Sequence, residues 1–155
     1  LESKPDLRFD NLEELDLSYN CIHEGIIAEI NRFLLSRMPR LTRLNLSRNG
    51  IEVVGARAIA NSPHMKSLTS LNLQSNRIRV VGAQAIANSE HMKSLTSLNL
   101  YSNQIGDEGA RAIANSEYMK SLTSLNLSRN EIRDDVKLVI RDLLRQTHSE
   151  CVVSL

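Results

Sequence analysis

The chain has 155 residues and a formal net charge of +1, with 41% hydrophobic but only 3% aromatic residues. So even a balance draws neither nucleic acid nor an anionic membrane to the molecule as a whole, and a core this poor in rings must be built from Leu, Ile, Val, Ala and Met. No apolar run approaches the roughly 18 residues of a membrane helix. Cys21 and Cys151 are the only cysteines. Two thiols so far apart make no disulfide framework, which points to a reducing, cytoplasmic compartment. No basic-then-apolar leader opens the chain, but it starts at Leu1 rather than Met and reads equally as a piece of a longer protein.

Residues 1–11 follow no pattern; Leu7 and Phe9 are placed to cover whatever comes next. From Leu12 onward a motif, L-x-x-L-x-L-x-x-N-x-I, takes over. Its clearest copy is Leu68-Thr69-Ser70-Leu71-Asn72-Leu73-Gln74-Ser75-Asn76-Arg77-Ile78. Copies start at Leu12, Leu41, Leu68, Leu95 and Leu122, which are 29, 27, 27 and 27 residues apart. A fixed period of this length means stacked coils, here 12–40, 41–67, 68–94, 95–121 and 122–147, followed by a tail, 148–155.

Within each coil the alternation around Leu15 and Leu17, and their equivalents, predicts a short strand with one face buried. Asn20, Asn49, Asn76, Asn103 and Asn130 then mark a turn and form a structural ladder, because an amide can satisfy backbone groups that a turn leaves unpaired. Ile22, Ile51, Ile78, Ile105 and Ile132 point back into the core. The return limb is helical: Gly55–Ala60, Gly82–Ala87 and Gly109–Ala114, with an inward set such as Gly82, Ala85 and Ile86. Met65, Met92 and Met119 fill the space before the next strand. The end coils carry larger residues: Ile26, Ile30, Phe33 and Leu34 first, and Val136, Val139, Ile140, Leu143 and Leu144 last. The last set predicts a longer amphipathic helix capped by Asp134 or Asp135. Residues 151–155 have the composition of a closing strand.

Parallel strands sit about 4.8 Å apart, whereas packed helices need about 8–10 Å. Stacked coils must therefore bend, with the sheet inside. The fold expected is an α/β solenoid of about five repeats, a curved arc with an inner parallel sheet and outer helices.

The strand motif followed by G-A-x-A-I-A resembles the ribonuclease-inhibitor-like subfamily of leucine-rich repeats. The near-identical repeats also resemble bacterial repeat proteins, including effectors delivered into host cells. The resemblance implies a non-enzymatic surface that binds a protein partner on its concave face and adjoining loops. The alternative it leaves is the targeting domain of a larger ligase or hydrolase.

The sheet columns can be read directly. Asp16, Asn45, Asn72, Asn99 and Asn126 form one, and Glu14, Arg43, Ser70, Ser97 and Ser124 another. Past the strands come Ser18, Ser47, Gln74, Tyr101 and Ser128, then Tyr19, Arg48, Ser75, Ser102 and Arg129. The Asn column suits a ladder of stacked amides. Aromatic and Arg anchors usually dominate protein interfaces. The candidate contacts are thus Tyr19, Arg43, Arg48, Asn72, Gln74, Asn99, Tyr101, Asn126 and Arg129. Residues 83–100 and 110–127 differ only at Gln84 against Arg111 and His91 against Tyr118, so divergence concentrates in the turns. No catalytic constellation, metal site or cofactor motif emerges. His64 and His91 stand in neighbouring coils too far apart to share an ion, Lys66, Lys93 and Lys120 are a row without aromatics, and both cysteines are expected to pack. The chain reads as a monomer, with end-to-end association the other option.

Overall fold

The computed structural model describes residues 8–147 and 151–155. Six short parallel strands form one sheet in chain order: β1 (Glu14–Asp16), β2 (Arg43–Asn45), β3 (Ser70–Asn72), β4 (Ser97–Asn99), β5 (Ser124–Asn126) and β6 (Val152–Ser154). Equivalent residues pair throughout; Leu44, Leu71, Leu98 and Leu125, for example, stand side by side. Five helices return the chain: α1 (Glu24–Glu29), α2 (Glu52–Ala60), α3 (Arg79–Ala87), α4 (Gly106–Ala114) and α5 (Asp134–Thr147). The architecture is the α/β arc expected, with leucines of the strands and the Ile and Met columns sealed between sheet and helices. Ile51, Ile78 and Ile105, and Met65, Met92 and Met119, are fully buried.

The Asn ladder is the polar spine of this core. Asn103 is fully buried. Its amide donates to the carbonyls of Leu73, Leu100 and Tyr101 at 2.9, 3.0 and 3.2 Å. Its Oδ1 accepts from the backbone N–H of Asn76 at 2.9 Å and of Ile78 at 3.3 Å. Asn49, Asn76 and Asn130 repeat the arrangement. Asn20, in the first coil, is exposed and donates to its own Ser18 carbonyl. A turn that would otherwise bury unpaired amides is thereby satisfied one coil at a time.

The helices depart from expectation in register. They start three residues earlier than the Gly-Ala motif, and the inward set of α3 is Gly82, Ala83, Ile86 and Ala87, with Ala85 only half-buried. The reason is contact with the coil before: a Cβ on Gly82 would meet the Ala56 methyl at 3.0 Å, and one on Gly109 the Ala83 methyl at 3.1 Å. In the first coil Ile27 is the buried residue and Ile26 is 41% exposed. Two extra residues there are taken up by a π-helical stretch, Ile30–Leu34, and a 3-10 turn, Leu35–Arg37. The side chains of Phe33 and Leu34 lie outside the described residues, as does Leu7; Phe9 packs half-buried against the core. Val136, Ile140 and Leu144 of α5 are buried, but Val139 is 48% exposed. Asp134 and Asp135 lie inside the first turn of α5 rather than capping it, and the Lys137 N–H closes onto the Arg133 carbonyl. Cys21 is exposed rather than packed. β6 pairs with β5 through Val152 beside Ser124, so the tail covers the edge of the last strand.

Candidate protein-binding surface

The open face of the sheet carries Glu14 and Asp16, Arg43 and Asn45, then Ser and Asn on each of β3, β4 and β5, aligned by the strand register. The Asn column is not a ladder of stacked amides. Each carbonyl oxygen instead turns along its own chain and accepts the N–H two residues on: Asn72 from Gln74 at 3.1 Å, Asn99 from Tyr101 at 3.0 Å and Asn126 from Ser128 at 3.0 Å. These Asx turns end the strands. They leave the NH2 side of each amide toward the face. Asn99 spends it on the Gln74 side chain at 3.4 Å, and Asn45 on Asp16 at 3.0 Å.

Beyond the strands the backbone goes left-handed. Tyr19, Arg48, Ser75, Ser102 and Arg129 all have φ between 54° and 60°. Two further columns do the same: Cys21, Gly50, Arg77, Gln104 and Glu131, then Glu52, Arg79 and Gly106. For residues with a Cβ this conformation costs about 1–2 kcal/mol, and inter-coil bonds hold it. The N–H groups of Tyr19, Arg48, Ser75 and Ser102 each meet a carbonyl of the next coil at 2.8–3.1 Å. The sequence signal for these turns was present but not used. Gly50 and Gly106 occupy columns filled elsewhere by polar residues, and a glycine in one copy of a repeat marks φ > 0 in the others.

This geometry gathers the predicted residues into pairs. The Arg48 guanidinium lies 5.0 Å from the centre of the Tyr19 ring, and that of Arg129 lies 5.7 Å from the Tyr101 ring. In each pair the Arg comes from the coil after the Tyr. Tyr19 is 67% exposed; Tyr101 is half-buried. Arg43 is joined to Glu14 in an ion pair. Both line an open depression of about 300 Å³ with Asp16, Asn45, Ser70 and Asn72. The hydroxyl and N–H of Ser18, and the amide of Asn45, hold the Asp16 carboxyl below the usual aspartate range. Glu14, Asp16, Asn45 and Ser70 were missing from the predicted contacts because a charge pair across strands is visible only once the register is set. Asn126 stands apart from the depression, on β5. Among the described residues no group of three or more His, Cys, Asp or Glu is placed to hold a metal ion, and no helix is long and apolar enough to cross a membrane.

Comparison with known proteins agrees with this geometry. The leucine-rich repeat family model matches residues 39–105 and 66–132, and a second leucine-rich repeat model matches 11–33. Among curated proteins there is no match. Two solved structures share the fold. Actin-binding site 2 of leiomodin-1 is 22% identical with a TM-score of 0.69, covering 90% of this chain and 80% of that one. The C-terminal domain of tropomodulin from Caenorhabditis elegans is 16% identical with a TM-score of 0.66, covering 88% and 84%. Such identities speak for the fold alone. With a six-stranded parallel sheet, an Asn ladder running through it and the family model spanning residues 39–132, the chain belongs to the leucine-rich repeat family.

Proposed function

We propose that the concave sheet face and the rim of turns beside it bind a protein partner. The observation that carries this reading is the pair of tyrosine–arginine stacks, Tyr19 with Arg48 and Tyr101 with Arg129, on a backbone locked from coil to coil. Tyr and Arg are the residues that most often anchor interfaces. An anchor already ordered in the free protein loses little conformational freedom on binding. Between the stacks lies an uncharged field of Ser and Asn, and at the β1 end the Glu14–Arg43–Asp16 depression offers both signs of charge. The mechanism is rigid display: the partner matches the curvature, and the stacks and the depression set the register.

The test is capture on the immobilised chain, with a control in which Tyr19, Arg48, Tyr101 and Arg129 are all serine. Purified actin is one probe, because the leiomodin-1 neighbour is an actin-binding site. Eukaryotic and bacterial lysates are the others. The G-A-x-A-I-A helices support the ribonuclease-inhibitor-like and bacterial-effector resemblance, which points first to a host-cell protein. The reading requires a partner whose retention falls at least about tenfold on the control, the loss of one to two anchors. A partner held equally by both chains would move the site elsewhere on the arc.

A further inference from the structure

Inside the arc, every coil inserts one asparagine into the turn of the coil before it. Four such insertions show one geometry. The Oδ1 of Asn49, Asn76, Asn103 or Asn130 accepts the N–H of the preceding coil's Asn at 2.7–3.0 Å and of its Ile at 3.1–3.4 Å. The Nδ2 donates to the preceding coil's Leu carbonyl at 2.8–2.9 Å. The carbonyl two residues before the inserted Asn accepts a third N–H, as that of Ser128 does from Ser102.

At the C-terminal end the same receptor recurs with nothing inserted. The N–H groups of Arg129, Asn130 and Ile132 have no protein acceptor among the described residues. The Leu127 carbonyl accepts only the Asn130 amide, where Leu100 accepts two. These groups border a cavity of about 190 Å³ whose other walls include Lys137 and Leu155.

We propose that this cavity is a binding site for a primary carboxamide, the side chain of an asparagine on an exposed segment of a partner protein. Two converging donors and one acceptor match C=O and NH2 together. A carboxylate would satisfy the donors but set an oxygen against the Leu127 carbonyl. A methyl would leave all three unmatched, and a site built to hydrogen-bond a group rejects analogues that lack it. The occupant is a short segment rather than the first coil of a second copy. β6 already pairs along β5 where another copy's strand would lie.

The experiment is amide chemical-shift titration of the intact chain with the blocked tripeptide acetyl-Ser-Arg-Asn-amide, which repeats residues 128–130. The Asp and Ala versions are the comparisons. Expected are saturable shifts at Arg129, Asn130 and Ile132 with the Asn peptide, at least about tenfold stronger in affinity than with either analogue. Equal shifts from all three peptides would overturn the assignment, as would no saturation by about 10 mM, the weak limit for a contact of a few hydrogen bonds. Preference for the Asp peptide would mean that Arg129 and Lys137 select an anion there, and would overturn it as well.

Discussion

Asn103→Ala is the most exacting perturbation of the ladder. The substitution deletes the acceptor for two buried N–H groups, those of Asn76 and Ile78. It also removes the donor to the Leu73 and Leu100 carbonyls. Asn103 is fully buried, so water cannot replace what is lost without opening the turn. A stranded buried polar group costs about 1–3 kcal/mol. Two stranded N–H groups therefore put the cost at about 2–5 kcal/mol, a large part of the roughly 5–15 kcal/mol that holds a domain together. Asn20→Ala is the internal control. Its side chain is exposed and donates only to Ser18, which limits the cost to about 1 kcal/mol, the net value of one hydrogen bond. Urea unfolding followed by circular dichroism reads both variants, each with an unchanged m-value required for a two-state comparison. Asn103→Asp adds a middle rung, because it keeps the acceptor and loses the donor. Equal destabilisation at positions 20 and 103, or a cost at 103 under about 1 kcal/mol, would refute the ladder as the polar spine of the core.

The serine after each helix offers a second comparison. Ser89 and Ser116 donate to the Ala60 and Ala87 carbonyls, whereas the Ser62 hydroxyl is buried without a partner. Ser89→Ala should cost about 1 kcal/mol and Ser62→Ala should be neutral or stabilising, checked by thermal unfolding. Gly82→Ala should destabilise by about 1 kcal/mol, because the new methyl is squeezed between Ile78 and Ala56 by more than the gain in helix propensity returns. An increase in its melting temperature would contradict the close helix approach. The Asp16 carboxyl should titrate below the usual aspartate value. A depressed folded pKa means that its contribution is complete above the unfolded value and is lost as pH falls through the folded one. Carboxyl-carbon NMR should show Ser18→Ala raising that titration more than Asn45→Ala, since the serine supplies the larger part.

How far the site was legible differs from residue to residue. Tyr19, Arg48, Tyr101 and Arg129 could be nominated from composition and column position, because repeats in register place equivalent residues together. That they form two stacks could not, because each stack depends on left-handed turns that put a Tyr of one coil under an Arg of the next. Asn72, Asn99 and Asn126 were found for the right column, but a strand pattern does not reveal that their oxygens turn onto their own backbone. In the helices, Ala85 and Ala83 have the same chemistry. Only contact with the preceding helix decides which faces inward.

The sequence alone determined the repeat, its period, the strand and helix of each coil, the buried Leu, Ile and Met columns and the direction of bending. All of these follow from periodicity and from the unequal widths of strands and helices. The tertiary structure alone decided the rotation of the helices, the fate of each amide hydrogen and the pairing of charges and rings across coils. Those depend on distances of a few tenths of an ångström between residues about 27 positions apart, where packing and hydrogen bonding act and where local sequence preference has no reach.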